Sequence, residues 1–422
     1  MFSHFATNVN KATEITKTHY LNFMHRPNIL TSEILSYGGK GIAFAPYGDH
    51  WRQMRKLCVT KLLSTKRVQS FASIREDECA KFIKLIENSV GSEMNLTGRI
   101  FSLVCASVSR VLFGGKYKEQ DEYLVSLIRQ VLVGSGGFDL ADLFPSMKFL
   151  YFVKRAKLEG LRQELDRVLE NVIKEHKKKQ KSTPGEEEED NKDLVDVLLR
   201  IQHSDTLDIK INDIKAFLLE IFAAATDTSA STIEWAMTEM MRNPRVRERA
   251  QSELIKVFRG KETIHESDVE QLTYLKLVVK ETLRLHPPTP LLLPRECSQV
   301  TIIDGYEIPI KTKVMINVWA IGKDPEYWND GEKFIPERFE GSSIDFKGNN
   351  FEYLPFGAGR RICPGMTFAL ATIIHPLALL LYYFNWELPN KMKPEDMNMV
   401  EQFGLAIVSK QKLHLIPFVY DV

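Results

Sequence analysis

Net charge is almost absent from this sequence. Its 56 Lys and Arg residues stand against 55 Asp and Glu, which leaves +1. No broad basic field recruits nucleic acid and no acidic field gathers cations. Cysteine is scarce as well. Cys58, Cys79, Cys105, Cys297 and Cys363 are scattered and odd in number. They form no CxxC pair and no zinc spacing, which argues against a disulfide framework or a structural zinc and fits a reducing compartment. Met1 to Tyr20 lacks a long apolar run and carries Asn8, Asn10, Lys11, Glu14 and Lys17, so it reads as neither a secretory signal nor a membrane anchor. No internal repeat is present. Without GxGxxG the chain shows no dinucleotide fingerprint of its own, and Walker A, HExxH and GxSxG are missing too. Function has to come from a site, not from bulk charge.

What is present is ordinary globular material: 422 residues, 44% apolar and 26% charged, enough for a large core. Length alone suggests two or three domains at about 150 residues each. The chain reads as mainly helical. Apolar residues recur at three-to-four spacing over Trp51–Leu63 and Val68–Val90, and Tyr151–Lys181 forms a long amphipathic helix. The Pro, Gly and four glutamates of Lys181–Asn191 mark a solvated loop, and Leu194–Leu199 needs neighbours to bury it. Ile211–Met241 is a helix ended by Asn243-Pro244, and Gln271–His286 one stopped by Pro287-Pro288. Val300–Ile303, Tyr306–Ile308 and Val314–Val318 then read as a small antiparallel sheet, with another strand at Leu413–Ile416. Met366–Phe384 is uncharged and long enough to cross a bilayer. Thr367, Thr372, His375, Pro376 and the lack of a basic flank favour a helix buried in the core. Asn95-Leu96-Thr97 matches a glycosylation sequon and reads as chance.

The informative segment is Pro355-Phe356-Gly357-Ala358-Gly359-Arg360-Arg361-Ile362-Cys363-Pro364-Gly365. Its glycines let the backbone turn tightly and approach something flat. Pro364 suits a first helical turn, so Cys363 is expected at a helix N-terminus beside Arg361. Both dipole and cation would favour thiolate there. A lone cysteine is usually core packing, and a Cys–His nucleophile would also use a lowered pKa. The whole pattern Phe-x-x-Gly-x-Arg-x-Cys-x-Gly overturns the packing reading.

This segment resembles the haem-binding loop of the cytochrome P450 family, in which a Cys thiolate holds the iron. The resemblance runs from about Thr13 to Val422. It is closest to plant type-A enzymes that include terpenoid and flavonoid hydroxylases, carried also by Phe138–Pro145 (FDLADLFP) and Asp345–Glu352 (DFKGNNFE). It implies the mainly α cytochrome P450 fold, a helical prism around a buried haem with a small β region. It also implies one domain over residues 1–422 in place of two or three. Relatives begin with a membrane helix, a proline-rich hinge and the first sheet strands. The chain is therefore expected to be N-terminally truncated relative to the family, with an exposed sheet edge and an open access channel.

The resemblance assigns roles residue by residue. Cys363 would be the axial ligand of haem b, within a binding segment that includes Phe356 and Gly365. Trp51 and Arg55, four apart on one helix face, would bond a propionate together with Arg295 and Arg361, since buried carboxylates need pairing. Glu281 and Arg284, with Arg338 from Pro336-Glu337-Arg338-Phe339, would form a buried charge network behind the haem; taken alone, Glu281 and Arg284 would be a weak surface pair. Arg52, Lys56 and Arg360 would face an acidic electron donor. The polar run Thr226-Asp227-Thr228-Ser229 interrupts the apolar stretch Phe217–Trp235. A kink or a back-bonded Thr hydroxyl would explain it locally. The family reading has Asp227 and Thr228 hand protons to dioxygen. Ala225 stands where many relatives carry Gly and narrows the oxygen groove. Phe217, Leu291, Leu292, Phe403, Leu405 and Ile407 are substrate-pocket candidates by analogy, all apolar.

The function implied is a haem-thiolate monooxygenase that puts one oxygen atom from O₂ into a terpenoid, flavonoid or related plant metabolite. Electrons would come from NADPH through a separate NADPH-cytochrome P450 reductase. The location implied is the cytosolic face of the endoplasmic reticulum membrane. Two other readings stay open. One is a haem-thiolate isomerase or dehydratase of the same fold, whose members tend to lose the acid–Thr pair kept here. The other is an inactive truncated product.

Overall fold

Helical periodicity dominates the chain, and helices build most of the structure. It is a computed structural model that describes residues 3–114, 123, 126–131, 151–182, 193–203, 208–402 and 406–420. The main helices are α1 (Asp49–Leu57), α2 (Ala72–Glu87), α3 (Leu96–Phe113), α4 (Tyr151–Ser182), α5 (Leu194–His203), α6 (Ile211–Arg242), α7 (Pro244–Phe258), α8 (Tyr274–Leu285) and α9 (Met366–Tyr383). The strands are β1 (Ser3–Ala6), β2 (Met94–Asn95), β3 (Arg295–Glu296), β4 (Thr301–Ile303), β5 (Tyr306–Ile308), β6 (Lys313–Ile316), β7 (Phe384–Glu387), β8 (Glu401–Gln402), β9 (Val408–Ser409) and β10 (His414–Val419).

Local chemistry sets the helix ends. The Asn95 side chain accepts from the Gly98 N–H and caps α3, so the sequon asparagine has a structural use. The Asp213 carboxylate accepts the Lys210 N–H at the start of α6. Pro244 opens α7, where its missing N–H costs nothing. The periodic run from Val68 is broken: a short helix at Thr65–Ser70, capped by Ser64, ends at Phe71 before α2 begins.

Helix α6, 32 residues and about 48 Å long, runs through the core. It packs against α3, α8 and α9. Among the described residues two helices, α3 and α9, are long and apolar enough to cross a membrane by composition, but most of each is buried inside the protein. They are core helices, as expected for Met366–Phe384.

The β region differs from the single antiparallel sheet read from sequence. Strands β4 and β5 form an isolated hairpin around Asp304-Gly305. Strand β6 leaves them and joins a mixed sheet, parallel to β1 (Phe5↔Met315) and antiparallel to β3 (Arg295↔Val314). A second three-stranded sheet has the order β2-β10-β7, and β8 pairs with β9. The sheet containing β3 and β6 has a small core of its own, with Ile15, Phe23, Val314 and Leu354. It thereby carries Arg295 to the edge of the main core.

Candidate active site

The segment before α9 folds as a tight knot. Gly357 donates to the Leu354 carbonyl, Ile362 to Gly359, and Cys363 to Phe356, at 2.9, 3.0 and 3.0 Å. Gly357 and Gly359 take φ of +73° and +69°. A Cβ on Gly359 would also stand 2.8 Å from the Thr16 carbonyl oxygen, so only glycine fits there. Helix α9 starts at Met366. Pro364 therefore precedes the helix and does not occupy its first turn.

Cys363 is the one cysteine of the five that is not buried, and all five are free. Burial around the sulfur nevertheless pushes its thiol pKa up, opposed by the Gly365 N–H and then by Arg55. The cation acting on the sulfur comes from α1, not from the neighbouring Arg361, which corrects the expected placement of the charge. Arg361 turns the other way. Its Nε and Nη2 donate to the carbonyls of Met24 (2.9 Å) and Ala45 (2.7 Å). Its guanidinium lies 4.6 Å from the Trp51 ring centroid. The Trp51 indole N–H goes to the Ile42 carbonyl at 3.1 Å. Trp51 thus stacks on Arg361, and its one donor goes to backbone in this structure.

Around this knot the cations crowd. Arg361 is pushed down to about 9 by burial, then by Arg295 and Arg55. Arg295 is pushed down to about 10 by burial. Arg55 is lowered, again by burial. A fourth cation, Arg26, was not expected from sequence. Its side chain donates to the carbonyls of Ala43, Leu293 and Pro294. Burial first, then Arg361 and Arg295, hold it well below the guanidinium range. A guanidinium stays charged in proteins, so burying these groups together calls for counter-charge.

Glu220 on α6 is the carboxylate acting against Arg26 and Arg361. It too was missed. It accepts from the Ile42 N–H (2.7 Å), the Ala43 N–H (2.9 Å) and the Ser36 hydroxyl (2.8 Å). A Cβ on Gly41 would fall 2.1 Å from this carboxylate. Glu220 thus shapes the loop whose carbonyls receive Trp51, Arg26 and Arg361. The signal available in sequence was a lone carboxylate inside an apolar helical stretch.

One Arg361 nitrogen, Nη1, is buried without a partner. Four guanidinium groups, one carboxylate and an orphaned donor fit a ligand that brings its own anionic oxygens. The propionates of the expected haem meet that description.

On α6, Ala224 is exposed in the middle of a mostly buried helix. The Thr228 hydroxyl donates to the Ala224 carbonyl at 2.7 Å, the back-bonding considered from sequence. Asp227 Oδ2 accepts the Ala406 N–H at 3.0 Å. Burial raises Asp227 to about 6, against that N–H and Lys412. The ionised form is therefore disfavoured in the fold. Stability from the neutral form is full below the carboxyl's ordinary pKa of 3.8 and is lost as pH rises through about 6. Asp227→Asn keeps an acceptor for Ala406. It is expected to raise stability on the order of 1–3 kcal/mol at pH 7.5 and to change little at pH 4. Urea denaturation at both pH values checks this; an equal gain at both would sink it.

Glu281, Arg284 and Arg338 come together as expected. Glu281 Oε2 and Oε1 accept from Arg284 at 2.8 Å each, and Oε1 accepts from Arg338 at 2.9 Å. Arg52, Lys56 and Arg360 are exposed. Of the pocket candidates, Phe217 is wholly buried, while Leu291, Leu292 and Ile407 are half-buried. Phe403 and Leu405 lie outside the described residues, as does Phe138–Pro145. Phe356 and Gly365 flank the cysteine, the first through its carbonyl.

Comparison with known proteins closes the question of family. The family model described as "Cytochrome P450" matches residues 4–416. Cytochrome P450 71D8 of Glycine max is 57% identical over 97% of this chain and 82% of its own length. Premnaspirodiene oxygenase of Hyoscyamus muticus is 49% identical over 98% and 83%. A zebra fish cytochrome P450 structure with abiraterone, 24% identical, superposes with a TM-score of 0.82 over 99% of this chain and 93% of that one, and so shows the same fold. The chain belongs to the cytochrome P450 family and is a monooxygenase.

Proposed function

We propose that the whole chain, residues 1–422, is one catalytic domain that inserts an oxygen atom from O₂ into a terpenoid, flavonoid or related hydrophobic plant metabolite. The observation that carries the reading is the under-compensated arginine cluster, with its orphaned Arg361 donor, around the least buried cysteine. Cys363 Sγ would hold the iron of haem b, and Arg55, Arg295 and Arg361 its propionates. Haem ligated by thiolate supplies the activation of dioxygen, with electrons from NADPH.

The chain's own residues do the rest. The Gly357–Gly365 knot brings backbone close to the flat ligand. The Thr228 hydroxyl gives its hydrogen to Ala224, which leaves its oxygen an acceptor for a water or substrate proton. Asp227, raised to about 6, exchanges a proton near neutral pH. Leu291, Leu292 and Ile407 offer half-buried apolar surface to the substrate. Premnaspirodiene oxygenase acts, by its name, on one such hydrocarbon. The electron source is an NADPH-cytochrome P450 reductase docking against Arg52, Lys56 and Arg360. Such enzymes work at the cytosolic face of the endoplasmic reticulum membrane.

The test is spectroscopic. Reduced protein with carbon monoxide is expected to give the strongly red-shifted Soret band of thiolate-ligated haem, and Cys363→Ser to abolish it. Consumption of O₂ and NADPH with reductase then separates oxygenation from isomerisation. A histidine-like spectrum in the unmodified chain refutes the assignment of Cys363.

A further inference from the structure

His286 lies at the C-terminal end of α8 and takes no part in the roles above. It is buried, and both ring nitrogens face carboxylates. Nε2 is 2.7 Å from Glu239 Oε1 on α6, and Nδ1 is 3.3 Å from Glu401 Oε1 on β8. The ring stacks flat on the Trp235 indole, with centroids 4.0 Å apart and planes 2° apart. An imidazole with an acceptor at each nitrogen satisfies both only when it carries two N–H groups. Burial works against that charge, but Glu239 and then Glu401 outweigh it and raise the His286 pKa. These two carboxylates are the charged groups facing it, one from each element packed on the ring.

The other end of the β8–β9 pair is fastened to the same helix. Ile407 O accepts from the Ser231 hydroxyl at 2.5 Å and from the Trp235 indole N–H at 3.3 Å. Ile407 N donates to the Pro288 carbonyl, two residues beyond His286, at 2.9 Å. Ala406 N donates to Asp227. Strands β8 and β9 are themselves in register, Glu401 opposite Ser409 and Gln402 opposite Val408. Trp235 therefore touches both fastenings, through its ring face at His286 and through its N–H at Ile407.

We propose that His286 is a positioning residue for the substrate cavity: by clamping Glu401 against Glu239 it fixes the β8–β9 pair and so sets where Ala406 and Ile407 stand beside Asp227. It selects among ligands through the backbone, without touching them. The selection step rests on the reading that Ile407 borders the cavity; the clamp itself does not. The clamp is complete while the ring keeps both protons. Since the folded pKa is raised, the clamp persists above the ordinary histidine range and is released as pH climbs through the raised value.

Amide hydrogen exchange on the full chain as purified reads the clamp. Glu401→Gln, a partly exposed site that leaves the His286–Glu239 pair in place, is expected to speed exchange over residues 401–402 and 406–409 about tenfold while α6 and α8 stay protected. His286→Phe, which keeps a flat ring on Trp235, should do at least as much. Unchanged exchange in Glu401→Gln overturns the clamp, even where His286→Phe fails to fold. Azole titration reads the selection. Affinity for imidazole, small enough to ignore cavity shape, should hold, while affinity for the bulky ketoconazole should change fivefold or more. Equal behaviour of both azoles overturns the selection role. Absence of the red-shifted carbon monoxide band in the unmodified protein would count against the haem reading alone, because exchange at 401–402 and 406–409 is followed on the chain whether or not it holds haem.

Discussion

Glu281→Ala is expected to yield a chain that does not hold its fold at physiological temperature, and hence no haem protein. Glu281 is fully buried and accepts four hydrogen bonds: two from Arg284, one from Arg338 and one from the Ile335 N–H at 2.8 Å. Arg284 spends its remaining donors on the carbonyls of Gly322, Gly331 and Lys333. Arg338 reaches the carbonyls of Asn329, Asp330 and Lys333. The carboxylate therefore neutralises two guanidinium groups whose other partners are fixed backbone. Its removal leaves those cations facing one another with no route to solvent for Arg284. Breaking a buried pair from one side costs about 3–5 kcal/mol, a large share of a total near 5–15 kcal/mol. Glu281→Gln keeps acceptor capacity and should fall between the two. Soluble yield and urea midpoints check the order, wild type above Gln above Ala. A Glu281→Ala protein with an unshifted midpoint would show that the network carries no stability.

This network was legible through the family resemblance, whose motif is a linear pattern; taken alone the residues read as a weak surface pair. Glu281 and Arg284 lie three apart on a helix, and Arg338 sits in a recognisable tetrapeptide. The cysteine segment was legible for the same reason. Glu220 was not, because its partners besides Ser36 are backbone amides, those of Ile42, Ala43 and Phe44. A backbone donor leaves no signature in residue type. Arg26 escaped likewise, since it binds three carbonyls. Strand β1 pairs with β6 from a distant part of the chain, and four-residue strands carry too little alternation to declare a partner. The helix start and the cation beside Cys363 were misplaced for another reason: both were read from adjacency in sequence. The fold begins α9 three residues later than Cys363 and turns Arg361 toward Ala45.

Arg295→Gln separates stability from ligand binding at this site. Arg295 is buried on β3, and its protein partners are poor: the Phe23 carbonyl at 3.4 Å and the Ala358 carbonyl at 3.5 Å. Such long bonds return little of the cost of desolvating a guanidinium, which is why its pKa sits near 10. Arg361 is a less clean target, because its shorter bonds to Met24 and Ala45 would be lost as well. In the haem-free protein, Arg295→Gln removes a poorly compensated cation from a cluster of like charges, so stability should hold or rise. In the haem-loaded protein the same change removes a charged hydrogen bond worth about 1.5–3 kcal/mol. Haem retention should then fall roughly 10- to 100-fold, at about 1.4 kcal/mol per factor of ten. Transfer of haem to excess apomyoglobin measures the retention, and urea denaturation of the haem-free chain measures the stability. The two should move in opposite directions. If stability drops and the transfer rate stays constant, Arg295 serves the fold and its place around the propionates is wrong.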